Sequence, residues 1–304
     1  MQYFKNWDEV INSVKKLPSV QRVVVAAAHD EHTLEAVRDV VKDGLVAPVL
    51  VGDKAKITEL LSKLALKVND ADIYDEPDVE KAAALAVQLV REGKGDFLMK
   101  GILETSQLLK AVVNKETGLG RGRLMSHISY MEVPAYHKMV ISTDGGMVLY
   151  PTLEQKKDVL LNAVDMLHAL GYDKPKVAVL AAVEKVNPKM PETVDGAALK
   201  EMCQKGELGN CVVEGPISLD LSLVKERSVV KKYESEVAGE ADVLLVPNIC
   251  TGNVLGKTLT EMAGGKMAGL ILGAQVPIVL TSRGSSSEEK YLSLVLAAAS
   301  SAKK

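Results

Sequence analysis

The sequence predicts an α/β protein of two three-layer α/β domains, each with a mainly parallel sheet. Short apolar runs rich in Val, Ala and Leu alternate with helical patterns of about ten to fifteen residues, which is typical of right-handed βαβ units. Aromatic residues make up only 4% of the chain, and this composition suits parallel strands that are covered by helices. A chain of 304 residues can bury two cores of ordinary size.

The first part of the chain carries the pattern of one α/β unit. An amphipathic helix in the N-terminal segment is ended by Pro18, and apolar strand patterns then alternate with helical ones. The predicted strands are 22–28, 48–52, 72–74 and 96–100, and the predicted helices are 33–41, 54–66, 79–91 and 103–113.

Residues 114–146 interrupt this alternation. The segment contains glycines, a proline and a period-2 alternation over 136–142, and it is too long for a simple loop. We expect extended segments that bridge two domains, with a cleft beside them. The first domain is predicted to comprise 1–143 and 283–304, and the second 144–282.

After Pro151 the alternation returns. Strand patterns lie at 176–182, 211–214, 241–246 and 277–280, and helical patterns lie at 153–170, at 191–205, within 219–237, in a loop and helix over 251–265, and at 288–302. We expect the last helix to cross back and complete the first domain.

Composition excludes several classes of protein. The net charge is -3 with scattered Lys and Arg, so neither nucleic acid nor an anionic membrane is expected as a partner. The N-terminal segment lacks the apolar core of a signal peptide and no apolar run is long enough to span a membrane, which predicts a cytoplasmic protein. The three cysteines fit neither a disulfide framework nor a zinc site. Residues that start a helix explain His29 and His32 better than metal ligands do.

The stretch 276–296 holds the first candidate site. A short strand is followed by a break at 281–284, a run of serines and a helix. Ser285 with Glu288, and Ser286 with Glu289, each have the spacing of a capping box. Ligands of α/β sheets bind beyond the carboxyl ends of strands, where helix N-termini attract anions. Arg283 at such a place is suited to phosphate because its planar fork can hold two oxygens. A surface arginine beside a serine-rich turn explains the same residues.

A second candidate lies between the strand at 241–246 and the next helix. Its residues, VPNICTGNVLGKT, are similar to a phosphate-binding P-loop, but Gly252 and Gly256 enclose three residues where a Walker loop needs four. We therefore prefer a helix N-terminus with polar side chains that faces a smaller anion or a substrate carbonyl.

Four further features have two interpretations each. Residues 118–123, GLGRGR, form either a mobile surface loop or a phosphate loop. His127 is a substrate contact or a satisfied interdomain histidine, and Asp144 is a turn residue or a carboxylate close to the cleft. Cys250 is a small buried thiol or an acyl-carrying nucleophile, and no histidine close in sequence supports the second interpretation.

Some segments exceed generic α/β patterning. They are Pro247-Asn248 with Thr251-Gly252-Asn253 and Lys257; Ser282-Arg283-Gly284; residues 182–193, AVEKVNPKMPET; Asp144-Gly145-Gly146; and Leu124-Met125-Ser126-His127. Together they resemble the phosphate acetyltransferase and butyryltransferase family, the last two being similar to its butyryltransferase branch. The likeness runs from about Arg22 to the end of the chain.

The resemblance implies two α/β domains with a cleft between them, as in isocitrate and isopropylmalate dehydrogenases. It implies reversible transfer of a short acyl group, with butyryl preferred to acetyl, between coenzyme A and phosphate. Acyl-CoA, coenzyme A, phosphate and acyl phosphate would be the ligands, with no metal and no tightly bound cofactor. A homodimer or larger homo-oligomer is also implied.

The candidate site residues fall into two groups. Catalytic roles are expected for Ser282, Arg283, Glu289 and Glu288, and substrate binding for Asn248, Thr251, Gly252, Asn253, Lys257, Gly284, Ser126, His127, Asp144 and Lys100. The acetyl enzymes have two aspartates where this chain has Glu288 and Glu289. Which of the two glutamates acts as the base therefore stays open.

The residue types suit this chemistry. A thiol with a pKa of about 8.5 is only a few per cent thiolate at neutral pH, so a carboxylate that accepts its proton assists attack on an acyl phosphate. Arg283 would neutralise the leaving phosphate, while Ser282 and backbone N–H groups would stabilise the oxyanion. Two alternatives remain: a metal- and NAD-dependent hydroxyacid dehydrogenase of similar fold, and a noncatalytic protein that binds coenzyme A or organic phosphates.

Overall fold

The computed structural model describes residues 3–280 and 284–302. Helices and strands alternate along most of this chain. In order they are α1 (Trp7–Lys15), β1 (Gln21–Ala26), α2 (Glu31–Lys42), β2 (Val46–Gly52), α3 (Lys54–Lys63), β3 (Ile73–Asp75), α4 (Val79–Arg91), β4 (Phe97–Lys100), α5 (Thr105–Val112), β5 (Ser126–Glu132), β6 (Val140–Thr143), α6 (Leu153–Ala169), β7 (Lys176–Leu180), α7 (Pro191–Gln204), β8 (Val212–Ile217), α8 (Leu219–Leu223), α9 (Lys225–Val230), β9 (Val243–Leu245), α10 (Ile249–Glu261), β10 (Lys266–Leu272), β11 (Ile278–Val279) and α11 (Ser287–Ser301).

The chain divides into two compact units. The terminal unit comprises residues 7–123 and 268–304, and the central unit comprises residues 1–6 and 124–267. The chain thus changes unit at 124 and 268, whereas the sequence places the domain boundaries at 144 and 283. The predicted domain division stays a prediction.

The sheet of the terminal unit has the strand order β3-β2-β1-β4-β11-β10. Its pairs are parallel except for β10 and β11. Helices start here at aspartate caps: the side chains of Asp30, Asp53 and Asp78 accept N–H bonds in the first turns of α2, α3 and α4. Each such cap stabilises a helix by about 1 kcal/mol. The last helix, α11, packs against α1 and α2.

The sheet of the central unit has the strand order β5-β6-β9-β7-β8. Its pairs are parallel except for β5 and β6. Thr143 of β6 and Val179 of β7 both pair with Leu245 of β9, so these three strands end at the same edge of the sheet. Because β5 runs antiparallel to β6, with Ile128 opposite Thr143, β5 begins at that edge. Residues that follow β6 and β9 and residues that open β5 are therefore neighbours.

An apolar core holds the central unit together. Ala178, Leu244, Ile217 and Leu221 are fully buried within it, and Met131 joins them from β5. Burial of a Leu or Ile side chain contributes roughly 1.5–3 kcal/mol, so this core fixes the strands that carry the edge described above.

The structure confirms the α/β class and the mainly parallel pairing, and it corrects three elements. β10 was not predicted. β8 continues through Gly215 and Pro216, although its predicted end is residue 214; β8 is the edge strand of its sheet, where the missing N–H of a proline is tolerated. α10 begins at Ile249, whereas the sequence predicts a loop from residue 251. No helix in residues 3–280 and 284–302 is long and apolar enough to cross a membrane.

Candidate functional site

Three segments of the central unit meet at the carboxyl edge of its sheet. They are the start of β5 with His127, the end of β6 with Thr143 and Asp144, and the start of α10. The Thr143 Oγ1 hydroxyl donates to the carbonyl oxygen of His127 at 2.8 Å, and the N–H of Val246, just after β9, donates to the carbonyl oxygen of Thr143 at 2.8 Å. Features that the sequence presents separately thus form one constellation.

Asp144 is the centre of this constellation. Its side chain is buried, and its Oδ2 accepts the N–H of His127 at 2.8 Å. Its Oδ1 accepts the N–H groups of Gly146 and Met147 at 2.8 and 2.7 Å. Hydrogen bonds to a charged acceptor each contribute about 1.5–3 kcal/mol. Asp144 therefore fixes the loop that follows β6, while a direct contact between Asp144 and a substrate stays a prediction.

Replacing Asp144 by asparagine is expected to destabilise the protein by about 2–3 kcal/mol. The change places an NH₂ group among backbone N–H donors and leaves at least one of them buried and unpaired. Urea unfolding followed by circular dichroism measures the effect. Glu154→Gln, at an exposed position of α6, is the matched control and should change stability by less than about 0.5 kcal/mol. Equal midpoints for Asp144→Asn and wild type would contradict this role of Asp144.

Two glycines allow the loop and α10 to approach each other. A Cβ atom on Gly252 would lie 2.6 Å from the Cα of Gly145 and 2.9 Å from the carbonyl oxygen of Asp144. Gly252 lies in the first turn of α10, and Asn253 Nδ2 donates to the carbonyl oxygen of Gly145 at 3.4 Å. Gly252 belongs to a helix and not to a phosphate-binding loop. Its missing side chain matters because it allows close packing against Gly145.

His127 is a half-buried residue whose ring nitrogen Nδ1 is fully buried. No described residue provides a hydrogen-bond partner for its buried Nδ1, and a Cβ on Gly146 would lie 2.9 Å from the ring Cγ. Burial lowers the pKa of His127 below its ordinary value, and the Asp144 carboxylate opposes this shift. The ring is accordingly neutral at pH 7. The lack of a described hydrogen-bond partner for Nδ1 does not fit the interpretation of His127 as a fully satisfied histidine. The other interpretation, a contact with the substrate, stays a prediction.

The helix α10 presents its N-terminus at the same edge. Asn248 is the N-cap, and its Oδ1 accepts from the N–H and the Oγ1 of Thr251 at 3.0 and 3.1 Å. The free N–H groups of such a helix start attract anions. Lys257 lies two turns along α10 and is exposed. Cys250 is exposed too, which corrects its interpretation as a buried thiol.

Ser126 is engaged inside the central unit. It is fully buried, and its Oγ accepts from Asn162 Nδ2 of α6 at 2.8 Å. The same amide group donates to the carbonyl oxygen of Leu124 at 2.9 Å. These bonds position the start of β5 beside His127, and a direct contact between Ser126 and a substrate stays a prediction.

A cavity of about 420 Å³ lies at the carboxyl edge of the central sheet. Asn248 and Thr251 line it on the α10 side, and Ala182 lines it at the end of β7. Its walls also include Glu192 and Leu219 from the first turns of α7 and α8. The cavity therefore joins two of the predicted substrate-binding residues to side chains that the sequence did not single out.

The terminal unit carries the remaining predicted residues. Glu289 lies in the first turn of α11, where its N–H donates to Ser286 Oγ at 3.0 Å and its Oε1 accepts from Ser285 Oγ at 2.8 Å. Of the two predicted serine pairs, Ser286 with Glu289 forms the cap of this helix, whereas Ser285 bonds to the Glu289 side chain. Lys100 ends β4, and its Nζ donates to the carbonyl oxygen of Leu103 at 2.9 Å.

Other predicted residues are exposed or lie outside the described part of the chain. Glu288 and Gly284 are exposed. Ser282 and Arg283, together with Thr281, fall outside the described residues, so their roles stay predictions. Among residues 3–280 and 284–302, no group of three or more His, Cys, Asp or Glu side chains is placed to hold a metal ion.

Sequence reasoning gave no individual role to three contributors to the site, Thr143, Gly145 and Glu192, although Gly145 and Glu192 lie in segments that carry the family resemblance. A signal for Gly145 was available, because a Gly-Gly pair directly after a strand indicates a close backbone approach. Thr143 and Glu192 carry no such signal, since their neighbours come from distant parts of the chain.

Comparisons with known proteins agree on one family. Residues 7–84 and 76–298 match the family model described as Phosphate acetyl/butaryl transferase. The chain is 45% identical over 294 residues to a phosphate butyryltransferase of Clostridium acetobutylicum, covering 97% of each protein. It is also similar to the crystal structure of a branched-chain phosphotransacylase from Enterococcus faecalis, with a TM-score of 0.81, 31% identity, and 93% of this chain and 99% of that one covered.

A more distant likeness concerns the fold alone. The structure of 4-hydroxythreonine-4-phosphate dehydrogenase from Klebsiella pneumoniae superposes with a TM-score of 0.54 at 14% identity, covering 92% of this chain and all of that one. The dehydrogenase-like fold class predicted from the sequence is thereby confirmed.

Proposed function

Because the chain belongs to the Phosphate acetyl/butaryl transferase family, we propose that it is an acyltransferase that moves a short acyl group reversibly between coenzyme A and inorganic phosphate. Butyryl is the preferred group, in line with the butyryltransferase that is 45% identical over 97% of the chain. That likeness is the observation that carries the proposal. The same residues would serve an acetyl group, which is the alternative substrate.

The reaction needs one proton acceptor and one place for phosphate. In the direction of acyl-CoA synthesis, a carboxylate takes the proton of the coenzyme A thiol and the thiolate attacks the acyl phosphate carbonyl. A carbon–sulfur bond forms, the carbon–oxygen bond to phosphate breaks, and phosphate leaves. In reverse, a phosphate oxygen attacks the thioester carbonyl and the thiolate leaves with a proton.

Each step has a residue of suitable chemistry. Glu289 is the proposed base, with Glu288 as the alternative; Glu289 already accepts a hydrogen bond from Ser285 at Oε1, which orients the carboxylate. Arg283 is proposed to hold phosphate through its fork. Ser282 and backbone N–H groups are proposed to stabilise the tetrahedral oxyanion.

The central unit supplies binding and positioning. The N-terminus of α10 and Asn248 are suited to an oxygen that carries negative charge, because free N–H groups point from the first turn. His127 would offer a neutral ring N–H to the substrate, since burial lowers its pKa. Thr251, Gly252, Asn253 and Lys257 complete the proposed contacts on α10, with Gly284 and Lys100 in the terminal unit.

Further properties belong to the same proposal. The protein works in the cytoplasm as a homodimer or larger homo-oligomer, and coenzyme A is a substrate and not a resident cofactor. The family resemblance implies the oligomer and the use of coenzyme A, and the pattern of the N-terminal segment is the reason for the cytoplasmic location.

Release of thiol tests the activity. Mixed with butyryl-CoA and phosphate, the protein is expected to release coenzyme A thiol at a rate that depends on phosphate, since phosphate is the acyl acceptor. A thiol reagent measures the release, and the signal from the three cysteines of the protein is subtracted. Acetyl-CoA and branched acyl-CoA, used in parallel, rank the acyl groups. No phosphate-dependent release with any of these thioesters would refute the proposed function.

A further inference from the structure

The cavity at the carboxyl edge of the central sheet has a ligand preference of its own. Its volume of about 420 Å³ lies within the roughly 300–1,000 Å³ typical of small-molecule sites. Leu180, Leu219 and Leu255 give it apolar walls. Part of it is formed by residues 182–193, a segment to which the proposed reaction gives no role.

The described residues that line the cavity contribute a single carboxylate to its charge. Among the described residues that line it, Glu192 is charged and none is Lys, Arg or His. A phosphate group would meet a negative charge here without a side-chain cation to offset it. The phosphate groups of coenzyme A and the reacting phosphate are therefore poor occupants.

The Glu192 carboxylate is a second feature of the cavity that points to a ligand. The side chain of Glu192 is half-buried, and no described residue makes a hydrogen bond or ion pair with its carboxylate. A partly desolvated carboxylate is stabilised by an N–H donor and is destabilised by purely apolar contact. An alkyl acyl chain has no such donor, so it would leave Glu192 unsatisfied.

One part of an acyl-CoA combines the required properties. The pantetheine arm is slender and mostly apolar, and it carries two amide groups, each with an N–H donor and a carbonyl acceptor. Asn248 also lines the cavity, and its Nδ2 has no hydrogen-bond partner among the described residues, because the cap uses only Oδ1. It is therefore available to an amide carbonyl.

We propose that this cavity binds the pantetheine arm of coenzyme A, with Glu192 accepting an amide N–H and with the leucines packing against the carbon chain. This proposal rests on the proposed function, since it assigns one part of that substrate to one part of the site. Glu192 is thus a substrate-binding residue for the arm and leaves the choice of acyl group to other residues.

Kinetics with two thioesters test the assignment. Glu192→Ala is expected to raise the KM for butyryl-CoA and for butyryl-pantetheine by about tenfold each, the effect of losing one hydrogen bond to a charged group. The KM for phosphate and the ratio of acetyl to butyryl rates should stay unchanged. Glu192→Gln keeps an acceptor oxygen and should restore part of the loss. Glu201→Gln on the same helix, at an exposed position paired with Lys205, should behave as wild type.

Each other outcome overturns the proposal. An unchanged KM for both thioesters in Glu192→Ala would show that the Glu192 carboxylate does not bind the pantetheine arm. A rise for butyryl-CoA but not for butyryl-pantetheine would point to the adenine amino group. An altered ratio of acetyl to butyryl rates would assign the cavity to the acyl chain.

A binding measurement separates this proposal from the proposed function. Calorimetric titration of the wild type and of Glu192→Ala with pantetheine needs no turnover, and melting temperatures within about 2 °C of each other would show that the variant is folded. Weaker binding by Glu192→Ala in a protein without transferase activity would uphold the cavity and refute the proposed function. Full transferase activity with equal pantetheine binding by wild type and Glu192→Ala would uphold the proposed function and refute the assignment of this cavity.

Discussion

Replacing Arg283 by lysine is expected to lower kcat/KM for phosphate about a hundredfold in the acyl-transfer reaction. The guanidinium can bind two phosphate oxygens at once, whereas an ammonium is a compact point charge. Loss of a donor that stabilises developing charge typically lowers a rate about 10²–10³-fold. Initial rates of thiol release from butyryl-CoA at varied phosphate concentration give the value.

The control for Arg283→Lys is the same change at an exposed arginine away from the proposed site. Arg91 at the end of α4 serves this purpose, and Arg91→Lys should retain wild-type kinetics. Circular dichroism and melting of both variants show whether the fold is retained. A value of kcat/KM for phosphate within twofold of wild type in Arg283→Lys would mean that phosphate is bound elsewhere.

Replacing Gly252 by alanine is expected to destabilise the protein by about 3 kcal/mol and to reduce transfer activity at least tenfold. The new Cβ would stand 2.6 Å from the Cα of Gly145 and 2.9 Å from the carbonyl oxygen of Asp144. Both obstacles are backbone atoms of a loop that three hydrogen bonds to Asp144 hold in place. The clash therefore moves either α10 or that loop. Urea unfolding and the rate of thiol release measure the two effects.

Gly256 provides a matched control one turn along the same helix. A Cβ there would have no atom within 4 Å, so Gly256→Ala should stabilise the protein by about 0.5–1 kcal/mol through helix propensity. A loss of stability in Gly252→Ala with a gain in Gly256→Ala would show that the effect arises from the contact of Gly252 with Gly145. Equal stabilisation by both would show that loop and helix are not packed as described.

The parts of the fold that the sequence predicts best are those set by local pattern. The limits of α4 agree with the predicted 79–91, because the alanine-rich helical period and the cap Asp78 lie within the segment itself. The serine cap of α11 is predictable for the same reason, since Ser286 and Glu289 are three residues apart.

Elements that depend on distant partners were predicted less well. β10 is a short run with Ala and Gly among Leu and Ile, and such a run occurs in helices as well as in strands. Its pairing with β11 makes it a strand. The passage of β8 through Pro216 depends on β8 lying at the edge of its sheet. Neither fact is encoded close to the residues concerned.

The candidate site shows the same division. The sequence identified Asp144, His127 and Asn248 as candidates for substrate binding, with a turn residue and a satisfied histidine as the other interpretations of Asp144 and His127. The structure shows that the Asp144 carboxylate bonds to the loop and that Asn248 Oδ1 caps α10. Such roles depend on which N–H groups the fold brings to an oxygen. Sequence reasoning assigned Glu192 no role of its own because its surroundings form only when β7, α7 and α10 assemble.

The measurement that tests the central claim most directly is phosphorus NMR of the protein with butyryl-CoA and inorganic phosphate. Direct transfer predicts that inorganic phosphate is converted into butyryl phosphate in amounts equal to the coenzyme A set free, and that butyryl phosphate with coenzyme A reverses the change. Free butyrate with no phosphorylated product, or no conversion in either direction, would contradict the account.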